Sequence, residues 1–405
     1  MRLVCCILVT ATVTITGCHE SKWPKRTTLT PSQAQAINDI AARQSEINDA
    51  TRGAFRGEVW TVGAIPWNAT VMPVASPEGR WIATASGVAP SNASLTAQDG
   101  ALPPEGSQIE IWELLPGFSG ARHQLTLTAP LLLTNAADAE GFLVESPRPD
   151  GSRWIGKVDW RTGTIAWLVQ DDQVNTTPTL GPQNRLAWST RSRDQRLFSL
   201  AVRLQDGREF AVPSNGSDWL LPSWSPRSMR LAVWRLTPEG VLSLVSMDAT
   251  DVQSLAAPAH QIPVMTGASR WDAFTATGNL TLVQGLAPPP VEEVVFYHPV
   301  HQRMTVWMPT GINSDQLVSL APDSIDAVHD DRGNFLLTLP RGLHWQSLSD
   351  LRNVVRVDHT PVYARPTTDP MRPFMLLDPG RNVVRIRGMR PAAQPADTTT
   401  ITTGD

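Results

Sequence analysis

Imidazole and carboxylate side chains meet twice in this sequence at spacings that could carry chemistry. Glu292-Glu293 is followed by Tyr297 and then His298-Pro299-Val300-His301, which sets two imidazoles three residues apart. His329-Asp330-Asp331 runs into Gly333-Asn334, a turn-like stretch. Such groups are competent metal ligands and acid–base catalysts near neutral pH. Neither spacing imposes a coordination geometry, and polar residues at exposed turns are ordinary. Solvated structural roles are therefore favoured, and His298, His301, His329 and Asp330 stand as weak binding candidates. The sequence has no Gly-x-Ser-x-Gly elbow, no His-Glu-x-x-His, no glycine-rich phosphate loop with Lys and no EF-hand loop. No catalytic residue, metal set or cofactor is assigned.

The elements that must position these residues begin with an address. Met1-Arg2 precedes Leu3–Ile15, an uncharged run of apolar and small residues with the length of a signal-peptide core. It is too short for a transmembrane helix, which needs roughly 20 apolar residues. It ends in Ile15-Thr16-Gly17-Cys18, which resembles the bacterial lipoprotein lipobox. That resemblance implies removal of residues 1–17, a diacylglycerol on the Cys18 sulfur, and a chain held to a membrane by that lipid. Cys5 and Cys6 lie in the removed segment, so no disulfide, Cys-based zinc site or thiol nucleophile is expected in the mature chain. His19 rather than Asp follows the cysteine, which in the enterobacterial members favours the outer membrane, facing the periplasm.

Residues 18–30 read as a basic tether. Thr30-Pro31-Ser32-Gln33 then looks like a helix start, with an N-cap Thr, Pro at the first helical position and Gln closing a capping box. An amphipathic helix is expected over 31–53, ending at Gly53. Residues 391–405 are Pro, Ala, Thr and Asp with little apolar content, and read as a disordered tail.

Residues 56–390 read as strands. Segments such as Glu58–Val62, Gln108–Trp112 and Arg230–Trp234 alternate apolar with polar residues, and turn signals such as Pro77-Glu78-Gly79 and Asp206-Gly207 separate them. A net charge of -4 argues against nucleic-acid backbones as partners. The 34 prolines, spread over 405 residues, oppose long helices. The expected class is all-β.

Repeats narrow the class. Pro222-Ser223-Trp224-Ser225-Pro226 leads into Met229–Val233, and Ser76-Pro77-Glu78-Gly79 leads into Arg80-Trp81-Ile82-Ala83. A looser copy runs from Pro178 to Trp188. These units resemble the TolB-type, WD-repeat-like β-propeller repeat, in which a Ser-Pro-x-Gly turn precedes an aliphatic strand. The resemblance implies four strands per blade. Repeat starts near Pro73, Pro130, Pro178, Pro222, Ser269, Ser319 and Pro366 give seven blades, with six or eight as alternatives; the last three rest on spacing alone. The last unit looks a strand short and Glu58–Ala64 has no unit of its own, so pairing the two would close the ring. A dipeptidyl-peptidase-like arrangement, with a hydrolase domain following the propeller, is not expected from the short tail after residue 390.

Asp159-Trp160-Arg161-Thr162-Gly163 with Trp167 resembles the docking motif of quinone-dependent propellers and BamB-type envelope lipoproteins. It occurs once rather than repeatedly, so it reads as turn chemistry with Trp160 and Trp167 as packing. Most of the 15 tryptophans fall at strand positions suited to packing between blades. Trp219 and Trp345 lie near turns and are the ones expected at the surface, as weak binding candidates. Together these features lead to the expectation of a lipid-anchored envelope propeller that acts as a non-enzymatic scaffold binding a protein, peptide or other ligand. The alternative is a propeller hydrolase or lyase acting on carbohydrate.

Overall fold

The computed structural model describes residues 57–66, 72–86, 108–116, 120–225, 228–256, 259–270, 272–273, 281–284, 292–309, 315–329, 334–347, 351–352, 354–367, 374–380 and 383–391. The sorting signal, tether, amphipathic helix and tail expected above lie outside these residues, as do Cys18 and Asp330.

Strand β1 (Gly57–Pro66) stands apart from the elements that follow it in sequence. The first unit is β2 (Val74–Ala75), β3 (Trp81–Ser86), β4 (Gln108–Leu114) and β5 (Ala121–Leu127); the second is β6 (Leu132–Ala137), β7 (Gly141–Pro147), β8 (Arg153–Asp159) and β9 (Ile165–Val169). The third is β10 (Val174–Gly181), β11 (Arg185–Arg191), β12 (Ser199–Arg203) and β13 (Glu209–Val212). The fourth has β14 (Asp218–Trp224), β15 (Arg230–Leu236), β16 (Leu242–Asp248), a short helix α1 (Val252–Ala256) and β17 (His260–Met265). The fifth has β18 (Thr281–Gln284), β19 (Glu292–His298), β20 (Arg303–Trp307) and β21 (Leu317–Ser319). The sixth has β22 (Asp326–His329), β23 (Asn334–Leu339), β24 (Gly342–Ser347) and β25 (Val354–Asp358). The chain ends in β26 (Tyr363–Pro366), β27 (Phe374–Gly380) and β28 (Val383–Pro391), and β1 completes this last unit by pairing antiparallel to β28. The described strands thus form seven four-stranded antiparallel meanders, the second and third linked by one parallel pair, Val174 with Arg153.

Side-chain parity explains why these sheets stand face to face. Successive residues of a strand point to opposite faces. On β15, Leu231 and Val233 pack with Ala187, Leu200 and Val202 of the third unit, whereas Ala232 and Trp234 pack with Val294, Phe296 and Trp307 of the fifth. On β27, Phe374 and Leu376 meet Val328 and Leu336 of the sixth unit; Met375 and Leu377 meet Ile65 of β1 and Ile82 of the first unit. That last cluster joins the last unit to the first and closes the ring. The fold is a β-propeller.

Double-sided burial corrects one expectation. Regular apolar–polar alternation holds on β4, as expected for Gln108–Trp112, and on outer strands such as β13, while β7 and β11 are buried at every position. A strand packed on both faces has no solvent side on which to place polar residues.

Pro178 and Pro222 sit inside the first strands of their units rather than ahead of them. Each lies at a register shift, between Thr176 and Thr179 and between Leu220 and Ser223. The preceding residues, Thr177 and Leu221, take φ of 51° and 56°. Proline offers no N–H to the ladder, and a bulge removes the need for one. The Ser76 turn behaves as its sequence suggests: Ser76 Oγ accepts the N–H groups of Arg80 (3.2 Å) and Trp81 (3.0 Å), and Gly79 supplies φ of 68°. The later starts placed by spacing are displaced. Ser269 precedes β18 by about a dozen residues, and Ser319 ends β21 instead of opening β22.

Ile65 is fully buried in the closing cluster, whereas Val300, in the turn after β19, is 57% exposed. Ile65→Ala should cost about 3 kcal/mol in urea unfolding, and Val300→Ala less than about 0.5 kcal/mol. Equal losses would remove the closing role from β1.

Candidate functional site

Connections in a four-stranded meander alternate between its two ends. Those from second to third strand, and from each unit to the next, share one end of the ring, here the upper end. Those from first to second and from third to fourth share the lower end. Contacts across units agree with this: Arg193, after β11, donates to the Asp150 carbonyl (2.8 Å), after β7.

Strand β19 separates the candidate residues. His298 is its last residue, at the upper end, and Glu293 lies near its lower end. Five residues of strand put roughly 17 Å between them. His301, in the upper turn, is exposed; its ring stacks on His298 at 4.0 Å with a 10° interplanar angle, and its N–H donates to His298 Nδ1 at 3.3 Å. His298 is itself buried, beside Phe296. Burial, with help from the positive fields of His301 and Arg303, pulls its pKa down to about 4.

His329 lies at the lower end, on β22, with its Nε2 3.8 Å from Glu293 Oε2. Both side chains are buried, and the Phe335 ring meets His329 edge-on at 5.1 Å. Burial alone pushes the Glu293 carboxyl up to about 7. The candidate histidines therefore form two separate places, a stacked pair above and a Glu–His pair below. Glu293 stands out in sequence only as half of an acidic doublet; its partner comes from another unit, which no local pattern reveals.

The two tryptophans expected at the surface are not freely exposed. Trp219 is buried in the core between the third and fourth units, where Nε1 donates to the Pro213 carbonyl at 3.1 Å. Its nearness to a turn misled because the first strand begins inside the ring, not at its edge. Trp345 is half-buried against the core joining the sixth and last units. Trp160 is buried against Phe142 at 4.6 Å, and Asp159 Oδ1 accepts the N–H groups of Arg161 (2.9 Å) and Thr162 (2.7 Å). That is the turn-and-packing role expected of the motif.

Sequence reasoning missed a network of arginines over the upper end of the second, third and fourth units. The Arg148 guanidinium lies 3.6 Å over Trp154, whose ring is edge-on to Trp167 at 5.7 Å. Arg191 and Arg270 both lie over Phe198, at 5.2 and 5.5 Å, and Arg235 lies over Trp219 at 5.6 Å. Arg270 also grips Asp218 in a fork, Nε to Oδ2 at 2.8 Å and Nη2 to Oδ1 at 2.9 Å, and donates to the Arg196 carbonyl. Below them Arg153 pairs with the fully buried Glu145 at 2.8 Å, and Thr177 N–H donates to that carboxylate at 2.7 Å. A local signal existed in Arg191-Ser192-Arg193-Asp194-Gln195-Arg196, the densest charge run of the ring. These contacts tie loops of successive units together, leaving a face of fixed shape with Arg193 and Arg196 outermost.

No family model matches this chain and no curated protein matches it. Among solved structures it is similar to the WD40 domain of Toxoplasma gondii coronin, at TM-score 0.51 and 12% identity over 84% of this chain and 87% of that one. Saccharomyces cerevisiae Sqt1 matches at TM-score 0.44 and 11% identity, over 78% and 82%. A Mycobacterium tuberculosis puromycin-hydrolysing peptidase matches at TM-score 0.35 and 16% identity, over 55% of this chain; the chain spans about a third (34%) of that enzyme's length. The coronin likeness agrees with the WD40-like propeller fold and carries nothing beyond it.

The two buried groups on β19 give opposite pH slopes. Native Glu293 keeps its proton to about pH 7 while an unfolded glutamate loses it near 4.5, so this group lowers stability as pH rises through that window. Native His298 resists protonation until about pH 4, whereas an unfolded histidine protonates near 6.5, so its contribution is lost as pH falls. Glu293→Gln should gain on wild type between pH 5 and pH 8 by on the order of 2–3 kcal/mol in urea unfolding. His298→Asn should instead flatten the acid limb. Unchanged slopes in both variants would show that neither burial is maintained in solution.

Proposed function

We propose that this propeller is a non-catalytic binding module of a bacterial cell envelope, a lipoprotein of the TolB-like kind. In this reading lipid on Cys18 holds it to a membrane, at the outer membrane facing the periplasm, and the upper end of the ring recognises a protein or peptide partner. The observation that carries the reading is the arginine–aromatic network of the second to fourth units. Loops held in one shape before binding lose little conformational entropy on binding, which favours recognition. Arg193 is held by Asp150 and Asp172, whereas Arg196, exposed on that surface, suits a partner bearing a carboxylate at its contact.

A second reading has one observation behind it. Glu293, poised near neutrality beside His329, is the kind of group a glycan hydrolase or lyase uses as a general acid. It needs a second acidic or imidazole group at the same place. His298 and His301, at the other end of β19, do not supply one.

Two measurements test the proposal. Cys18→Ser should move the protein from the membrane fraction to the soluble fraction; firm retention would remove the lipid anchor. A photo-crosslinking residue at position 194 should capture an envelope partner in cells, and a chain also carrying Arg196→Glu should lose the adduct at unchanged thermal midpoint. Turnover of an envelope glycan by the purified protein, abolished by Glu293→Gln, would favour the enzyme instead.

A further inference from the structure

The lower end of the third unit holds a buried positive charge that no carboxylate of the described residues answers. The turn Pro182–Asn184 joins β10 to β11, with Gln183 and Asn184 both in the left-handed region at φ of 59° and 61°. Arg185 follows it and is only 6% exposed. Its Nη1 donates to neutral oxygens, Gln183 Oε1 at 2.7 Å and the Pro182 carbonyl at 3.4 Å, and its Nε has no hydrogen-bond partner. Among the described residues no carboxylate oxygen lies within 4.0 Å of it. Arg153, similarly buried, has Glu145; Arg270 and Arg365 have Asp218 and Asp326. A guanidinium cannot shed its proton, so a buried one without a counter-charge is costly in the free protein.

Arg185 is not sealed in apolar packing. It lines an open pocket of about 400 Å³, together with Leu204, Gln205, Asp206, Arg208 and, from the fourth unit, Thr250. The lining thus carries two guanidinium groups against one carboxylate. That carboxylate is already engaged: Asp206 Oδ2 accepts from Arg208 Nε at 2.6 Å, and Oδ1 accepts the Arg208 N–H at 3.0 Å. Thr250 is fixed by its bond to Asp248 (2.6 Å), and Leu204 adds an apolar wall continuous with the core behind it.

We propose that this pocket binds a small molecule through an oxyanion, a carboxylate or a phosphate monoester, whose charge Arg185 and Arg208 neutralise. The volume falls within the range of roughly 300–1,000 Å³ usual for small-molecule sites and exceeds what a bare anion fills, so the ligand carries a body that rests on Leu204. A planar guanidinium fork suits both kinds of oxyanion. The site lies at the opposite end of the ring from the arginine–aromatic network and stands whether or not a partner docks there.

Calorimetric titration of the full chain with inorganic phosphate and with citrate, at constant ionic strength in chloride, tests this. At least one should bind saturably with millimolar or tighter Kd, and which one binds identifies the source of the oxyanion. Arg185→Gln should weaken binding about tenfold or more. Arg208 is exposed, so Arg208→Gln should leave the fold intact while weakening binding roughly three- to tenfold; it decides the matter if the Arg185 variant fails to fold. Arg148→Gln, at the other end, should bind as wild type does. Absence of saturation for both anions at about 20 mM, or wild-type affinity in Arg208→Gln, would overturn the proposal.

Discussion

A strand buried on both faces cannot end a structure. Each middle strand here sends alternate side chains into two different cores, so every unit requires a neighbour on either side. Leu231 and Val233 look one way, Ala232 and Trp234 the other. An open arc of such units would leave an apolar face at each end, several side chains wide. Closing the arc covers both faces, and β1 does so by adding the fourth strand to a unit built otherwise from the C-terminus. The ladder runs through nine register positions with one shift, at Thr61 and Gly63. Hydrogen bonds align the termini, and the cluster of Ile65, Ile82, Met375, Leu377 and Ile386 gives that alignment its hydrophobic driving force.

The same constraint sorts the polar side chains. A ring filled from both sides leaves charges only two places, the strand ends or an ion pair with full hydrogen bonding. Glu145 with Arg153, Asp218 with Arg270 and Asp326 with Arg365 take the second course. Glu293, although near a strand end and 3.8 Å from His329, is buried without an arginine, and burial raises its pKa. His298 is neutralised instead, with His301 stacked over it. These two groups belong to one strand and respond to acid in opposite senses, so between about pH 4.5 and 6.5 their effects on stability offset each other.

Legibility in the sequence followed how local each signal was. The Ser76 turn and the Asp159 turn bind their own following N–H groups, and both were readable from a few residues. The need for β1 to complete the last unit was readable too, from a strand without a unit and a unit short of a strand. The fifth and sixth units lack a Ser-Pro turn, and their starts were misplaced for want of that marker. Trp219 was misjudged because distance from a turn along the chain says little when first strands start in the ring's interior. The Glu293–His329 contact joins the fifth unit to the sixth, and Arg270 reaches back to Phe198 and Arg196 of the third. The packing of unit on unit brings these together, whereas Arg148 with Trp154 and Arg191 with Phe198 are within a few residues of each other in sequence.

The two ends of the ring are built on different principles. At the upper end the guanidinium groups of Arg148, Arg153, Arg191, Arg235 and Arg270 lie over a ring or against a carboxylate, and the result is a surface of fixed shape. At the lower end Arg185 is held by neutral oxygens beside an open pocket, with no carboxylate of the described residues beside it. The left-handed pair Gln183 and Asn184 keeps it there: relaxing that turn would carry the Gln183 amide oxygen away and let the side chain reach water. Strain in the turn and an unanswered charge are both unfavourable in the free protein, and one bound oxyanion would relieve the second without disturbing the first. The cores that every unit shares with its neighbours lie between the two ends, so the proposed partner face and the proposed oxyanion pocket are separate sites.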